Sequence, residues 1–357
     1  MRQPTMADIA KHAGVSRIAV SYALNDQPGV SRATRERILG IARELGYRAN
    51  GPALALHGAT ARAVGLVMLR SSAAFTVEVF RRELIAGIQT ELSARQFGLA
   101  FQFVADLDEE MAVHRRWSAE RRVDGVLIID PRIDDPRMAA LEAIGLPAVV
   151  IGGGPETHGL LCDHAGATTE VVDYLIALGH RRLARVSGPP GLVHTVRRDA
   201  AFLRAAAEVT IVAGDYTGES GARLTRRLLE SETRPTAIAY DNDLMAVAGL
   251  GVARELGLDV PGDLSIVAYE DSPLCQVVGP PLTVLKRDIV AFGRRAAEML
   301  FELVATGERH CAQADRPRLI IRRSTGPVES HREPDRPRTF GRPNRVAAAR
   351  PRASGRL

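Results

Sequence analysis

Arg17, Ile18 and Tyr22, with Ser16, Ser21 and Asn25 beside them, are the side chains whose types and spacing suggest the most specific chemistry. At helical spacing they share one outer face, while Ala19, Val20, Ala23 and Leu24 fall on the opposite, inward face. A helix that presents arginine, tyrosine and small polar groups near its N-terminal end suits the major groove of DNA.

The elements that must hold this face are legible in residues 5–25, TMADIAKHAGVSRIAVSYALN. Thr5 can cap a first helix, with Asp8 three residues on completing a box-like start. Met6, Ile9, Ala10 and Ala13 form its apolar face. Gly14 supplies a tight corner, where a residue without a side chain can take a positive φ. Ser16 caps the second helix, and Val15 and Val20 occupy the two positions of a hydrophobic staple. Ser31 opens a third helix with Ile38, Ile41, Ala42 and Leu45 on its buried side, and Gly46 ends it. Three short helices within about 45 residues are too small to be the whole of a stable chain. The plainer alternative is a helical hairpin whose outer face is only solvated.

Charge divides along the 357 residues. Residues 1–62 carry a net +5 and residues 327–357 another +5, so the stretch between them is net −5. A basic N-terminal unit fits phosphate contact, and an acidic body would not lie along DNA. Cys162, Cys275 and Cys311 lack metal-ligand spacing and read as unpaired thiols, with no metal or cofactor expected. No apolar run approaches membrane-spanning length, and the N-terminal residues lack a secretory pattern, so a cytoplasmic, nucleoid-associated protein is expected.

From Ala63 the pattern becomes α/β. Strands are expected at 64–69, 99–104, 125–129 and 148–151, then at 183–187, 210–213, 237–240 and 264–269. The intervening helices are expected at 77–96, 107–121, 136–144, 166–178, 198–207, 219–229 and 244–256. Two such runs in tandem suggest two lobes of like fold with a cleft between them. Ligands of open α/β sheets sit beyond the carboxyl ends of strands. Asp130, the run Asp241-Asn242-Asp243 and the pair Glu270-Asp271 stand at such ends, and Arg198 opens a helix after another. Carboxylates and an arginine converging there can bind sugar hydroxyls. Each acid taken alone also reads as a helix cap or a solvated loop carboxylate.

The chain from about Thr5 to Pro327 resembles the lactose-repressor (LacI/GalR) family of bacterial transcription regulators. The headpiece residues that carry the resemblance are Thr5-Met6-Ala7-Asp8-Ile9-Ala10, Ala13-Gly14-Val15-Ser16, Val20-Ser21, Leu24-Asn25, Val30-Ser31, Thr34-Arg35 and Leu45-Gly46-Tyr47. In the body the matching blocks include Leu178-Gly179-His180, Ser187-Gly188-Pro189, Asn242-Asp243-Leu244-Met245-Ala246 and Pro280-Pro281-Leu282-Thr283. The resemblance implies an α/β protein with an N-terminal helix-turn-helix headpiece, a hinge, and a two-lobed periplasmic-binding-protein-like core of wound parallel sheets. It implies a homodimer on palindromic operator DNA, acting as a repressor under allosteric control by a small molecule, a sugar or sugar derivative.

Position by position, the resemblance assigns Arg17, Ile18 and Tyr22 to base edges, and Thr5, Ser16, Ser21, Asn25, Ser31, Thr34 and Tyr47 to phosphates. Asn50, Ala53 and Leu56 fall in its hinge, with Leu56 as the wedge for the minor groove. Phe80, Arg198 and Asp243 match its effector-site positions, and with Asp130 and Asp271 from the strand ends they are the effector-site candidates. The family commonly has threonine at position 19 and arginine at 22, where this chain has Ala19 and Tyr22. Beside Phe80, Arg81 replaces a usual aromatic, and His164 replaces the asparagine of a D-N pair that begins at Asp163. The expected divisions are a headpiece at 1–48, a hinge at 49–62 and a core at 63–326. Within the core, 63–161 and 286–312 form one lobe, and 162–285 and 313–326 the other. A disordered Arg/Pro-rich tail follows at 327–357. Two rivals are a solute receptor, which would need an export signal and no basic headpiece, and an enzyme. No nucleophile–base pair or phosphate-binding loop supports the latter.

Overall fold

The computed structural model describes residues 4–24, 27–47, 60–69, 79–154, 157–206 and 208–328. Three helices open it: α1 (Met6–Ala13), α2 (Arg17–Leu24) and α3 (Arg32–Glu44). Thr5 and Asp8 form a reciprocal capping box at α1, and Gly14 ends that helix at φ 65°. Ser16 Oγ accepts the Ala19 amide at 3.1 Å, and Ser31 caps α3 through the Thr34 amide. Ile9, Val20 and Ile38 are fully buried where the three helices meet. Seven buried residues of the headpiece helices thus form a small core, and the polar side of α2 is left outside.

The core contains two six-stranded sheets. Its chain order begins β1 (Ala63–Leu69), α4 (Val79–Ala94), β2 (Gly98–Val104), α5 (Leu107–Ala119), β3 (Gly125–Ile128), α6 (Pro136–Ala143), β4 (Ala148–Gly153) and β5 (Gly159–Leu161). It continues through α7 (His164–Ala177), β6 (Arg182–Ser187), α8 (Val193–Ala205), β7 (Glu208–Ala213), α9 (Gly218–Leu229), β8 (Ala237–Tyr240), α10 (Asp243–Glu255) and β9 (Ser265–Ala268). It closes with α11 (Pro273–Val277), β10 (Thr283–Lys286), α12 (Ile289–Thr306), β11 (Cys311–Gln313) and β12 (Arg318–Ile320).

The first sheet runs β11-β5-β4-β3-β1-β2 with every pairing parallel. The second runs β12-β10-β9-β8-β6-β7 and is parallel except for β12 against β10. Central strands β3, β8 and β9 are buried along their whole length, as expected of strands covered by helices on both faces. The second sheet takes its last strands from far along the chain, and the first recovers α12 and β11 from beyond it. The chain therefore crosses between lobes three times. Lys286 ends β10 and Gln313 ends β11, so the last two crossings fall one residue later than the divisions expected at 285/286 and 312/313.

Seven elements depart from the sequence reading. Helix α8 begins at Val193 rather than Arg198, which moves Arg198 into its second turn. Strands β5, β10, β11 and β12 and helices α11 and α12 were not anticipated as elements. The ordered chain also extends past 326, since the Val328 amide donates to Leu178 O at 2.9 Å. Trp117 is 3% exposed and packs over Gly65, a core role. Among the described residues, no helix is long and apolar enough to cross a membrane.

Candidate functional site

Helix α2 carries the first site. Arg17 and Ser16 are exposed, and Ile18 is 65% exposed although it is a large aliphatic residue on a short helix. Tyr22 is 37% exposed, its ring resting against Gly29, where a β-carbon would come within 3.1 Å of it. The three residues expected at base edges therefore share one open face. Those expected at phosphates cluster at helix starts: Thr5, Ser16 and Ser31 are the N-terminal caps of α1, α2 and α3. Helix N-termini turn free amides and a positive dipole end toward an anion. Two of those hydroxyls are engaged within the chain, Thr5 Oγ1 donating to Asp8 at 2.6 Å and Ser31 sharing a 2.8 Å bond with Thr34. Ser21 is half-buried, and Tyr47 packs against the headpiece core, where burial raises the pKa of its phenol. Asn25, Asn50, Ala53 and Leu56 lie outside the described residues.

The second site is a cleft between the lobes, a common place for a small-molecule site. Phe80, Arg81, Asp130, Arg287 and Phe292 line it from one lobe, and His164, His194, Arg198, Tyr216, Asp241 and Glu270 from the other. Backbone bonds tie the lobes together beside it. The Val193 amide donates to Pro131 O at 2.8 Å, and the Ile133 amide to Gly191 O at 2.9 Å. Arg197 adds a bond to Gly153 O at 3.3 Å.

Of the five residues expected around an effector, Phe80, Asp130 and Arg198 line the cleft, while Asp243 and Asp271 do not. The reason is local register. Asp241 directly follows β8 and turns to the cleft, and Asn242 caps α10 through the Met245 amide at 3.0 Å. Asp243 is then the first helical residue, fully buried with Oδ1 on its neighbour's amide. After β9, Glu270 reaches the cleft, but Asp271 is taken up by Arg322 at 2.8 Å and Lys286 at 3.7 Å.

Asp241 organises the cleft floor. It accepts Arg185 Nη2 at 2.6 Å, Arg198 Nη1 at 2.9 Å and the Gly188 amide at 2.6 Å. Its burial acts to raise the carboxyl pKa, but the two guanidinium charges outweigh it and hold the group at about 2. Arg185 is itself fully buried and reaches Asp199 at 2.7 Å. Both arginines also stand over the Tyr269 ring, at 5.1 and 5.3 Å from its centroid. Gly188 is required here, because any β-carbon would fall 2.1 Å from the Tyr216 hydroxyl. Tyr216 holds φ 70°, its carbonyl accepts Asn242 Nδ2 at 2.8 Å, and its hydroxyl shares a 2.6 Å bond with His194.

The histidines are kept neutral. Burial and then the Arg198 charge lower His194 to about 4, and the same two causes hold His164 well below its ordinary value. On the other wall Arg81 meets Asp130 at 3.3 Å, and Asp130 sits at φ 49°, a strained setting for a residue with a side chain. The sequence reading missed His194, Tyr216 and Arg287 altogether. No local motif marks them, because they converge only through the crossings between lobes.

Comparison with known proteins agrees with both halves of this architecture. A model described as "Bacterial regulatory proteins, lacI family" matches residues 5–50, and one described as "Periplasmic binding protein-like domain" matches residues 172–325. The HTH-type transcriptional regulator AglR of Rhizobium meliloti (strain 1021) is 33% identical over 340 residues, covering 90% of this chain and 94% of that one. The regulator CelR of Thermobifida fusca is 34% identical over 323 residues, covering 86% and 93%. Among solved structures, the lac repressor dimer bound to operator and the anti-inducer ONPF superposes with a TM-score of 0.79 at 26% identity, covering 91% of this chain and all of that one. A CelR–cellobiose complex gives 0.68 at 28% identity, covering 90% and 99%. With an N-terminal helix-turn-helix unit, a two-lobed core of parallel sheets and relatives of this likeness along nearly its full length, the chain belongs to the lacI family of bacterial transcriptional regulators.

Proposed function

We propose that this regulator is a repressor that binds a palindromic operator as a homodimer and yields it under control of a sugar bound in the inter-lobe cleft. The observation that carries this reading is the pairing of an open, polar α2 face with a distant cleft built from both lobes. Arg17, Ile18 and Tyr22 read base edges. Thr5, Ser16, Ser21, Asn25, Ser31, Thr34 and Tyr47 hold phosphates, and Asn50, Ala53 and Leu56 act at the minor groove. Tyr22 cannot make the two-bond grip on guanine that arginine makes, so the half-site differs from that of relatives with arginine there. In the cleft, Asp130 and Glu270 accept sugar hydroxyls and Arg198, held by Asp241, donates to them. The cellobiose found with the relative CelR supports a sugar as the ligand class. The chain performs no catalysis in this reading, in keeping with relatives that are regulators.

The test is direct. Operator sequences selected from a randomised palindromic library are titrated with full-length protein by fluorescence anisotropy, with and without a panel of sugars. Specific binding of a two-fold symmetric site, shifted by one class of sugar, is expected. Operator affinity that no sugar changes would overturn the allosteric reading.

A further inference from the structure

Along the cleft lining Arg81, Arg198 and Arg287 are matched in number by Asp130, Asp241 and Glu270, but the charges are not evenly paired. Arg81 pairs with Asp130, and Arg185 and Arg198 share Asp241 and Asp199. Arg287 has no carboxylate within ion-pair distance among the described residues. Its guanidinium lies over Phe80 and Phe292, at 4.7 and 5.4 Å from the ring centroids, and among the described residues it donates one hydrogen bond, to the Cys162 sulfur at 3.6 Å. The adjacent Asp288 is used at the start of α12, accepting the Ala291 amide at 2.8 Å. Among the described residues Arg197 likewise bonds a carbonyl and no acid. Both charges lie close enough to His164 to depress its imidazole.

His164 supplies the second, independent observation. It is 6% exposed and lines the cleft beside Gly152. Its Nδ1 faces Arg198 Nη2 at 3.4 Å. A guanidinium only donates, so Nδ1 must accept, and the neutral ring then carries its proton on Nε2. Among the described residues that Nε2–H has no acceptor. A buried donor beside a guanidinium without a carboxylate partner needs an acceptor oxygen, and one with negative charge satisfies both groups most strongly.

Resting on the cleft being a sugar site, we propose that the ligand is an acidic sugar, bearing a carboxylate or a phosphate, whose anionic group sits between Arg287 and His164 Nε2–H. The Phe80 face that a neutral sugar ring would stack on is already covered by Arg287, which turns this wall from a stacking platform into an anion seat. Arg81, in place of a second aromatic, adds to the same polarity.

Calorimetric titration of the full-length protein decides the matter with matched ligands: several hexoses and disaccharides, each as the neutral sugar, the uronate and the 6-phosphate, with inorganic phosphate alone as control. The charged form of one sugar is expected to bind at least about tenfold tighter than its neutral parent. The uronate and phosphate arms identify which anion is taken. Arg287→Gln should erase that advantage, read as the ratio of charged to neutral affinity in the same variant, Arg287→Lys should restore part of it, and His164→Phe should reduce it. Equal binding of neutral and charged forms overturns the anion seat and leaves the sugar reading intact. An advantage that survives in Arg287→Gln, or equal weakening of both forms with a lower Tm of the free protein, also overturns it by giving Arg287 a structural role. Binding of no sugar in any form overturns the anion seat and the sugar reading together.

Discussion

At the scale of the residue, Asp241 is the side chain on which most depends. It neutralises Arg185 and Arg198 at once in a place closed to water. Removing one partner of such a cluster leaves a buried charge without compensation, at a cost of about 3 kcal/mol or more. Asp241→Asn keeps the shape and loses the charge, so chemical denaturation should reveal a loss of that order in the core. A milder effect, under about 1 kcal/mol, would mean that Asp199 alone can balance both arginines. The histidines set a second expectation. His194 is held at about 4 and His164, His158 and His180 are also lowered, in each case first by burial. For a group whose folded pKa is depressed, the unfolded chain takes up the proton first as pH falls. Stability is therefore full above the ordinary histidine value of 6.5 and declines as pH falls from there toward 4. Thermal scans across that window should show a falling Tm, and His194→Gln should make the fall shallower. The carboxyl of Asp241 acts only further down, between the ordinary aspartate range and about 2.

At the scale of the element, the packing of α4 against α12 builds the first lobe from segments two hundred residues apart in the chain. Two glycines allow it. A β-carbon at Gly87 would lie 2.0 Å from Val290 O, and one at Gly293 would lie 2.3 Å from Leu84 O. On an exposed helix, exchanging glycine for alanine stabilises by up to about 1 kcal/mol. Here backbone stands in the way, so the sign reverses and Gly293→Ala should cost about 1–3 kcal/mol by forcing the helices apart. Its check is a urea titration, in which unchanged or higher stability would contradict the contact. The same helix illustrates what sequence patterns reveal and what they hide. Each βα unit of the first two runs announced itself through alternating strand and helix periods. Helix α12 carries Ile289, Phe292, Ala296, Leu300 and Leu303 at helical spacing, so its signal was present in the residues but lay after the repeat had apparently ended. Strands β5, β11 and β12 are three residues each, too short for a period to register. In the headpiece, Thr5, Gly14, Ser16 and Ser31 revealed their roles because capping is decided within four residues of chain. In the cleft, Phe80, Asp130 and Arg198 could be found from the ends of strands and from family likeness. The exchange of Asp243 for Asp241, and of Asp271 for Glu270, could not, since which of two neighbouring acids faces a cleft depends on where the following helix begins.

At the scale of the whole molecule, a cleft built from both lobes is also a joint between them. The chain crosses it three times, and the bonds from Val193 to Pro131 and from Ile133 to Gly191 span it. A ligand touching both walls therefore changes the free-energy difference between lobe arrangements, and only that difference can reach DNA. If operator and ligand are linked through the lobes, each must alter the other's affinity by the same factor, about 5- to 150-fold for typical couplings of 1–3 kcal/mol. This reciprocity is a stricter demand than loss of DNA binding alone. Operator affinity measured at zero and saturating ligand gives one ratio, and ligand affinity measured with and without saturating operator gives another. The two ratios should agree within error at one salt concentration. Salt must be fixed because phosphate contacts from a basic headpiece release counterions, so that operator affinity falls steeply and linearly on logarithmic axes as salt rises. Ligand affinity for the free protein should follow no such slope if the ligand is neutral, and only a shallow one if it carries the single charge that Arg287 is poised to receive. Unequal ratios would mean that a further equilibrium, such as a change in the assembly of subunits, is coupled to one of the titrations, and the lobes would then not be the sole transmitting element.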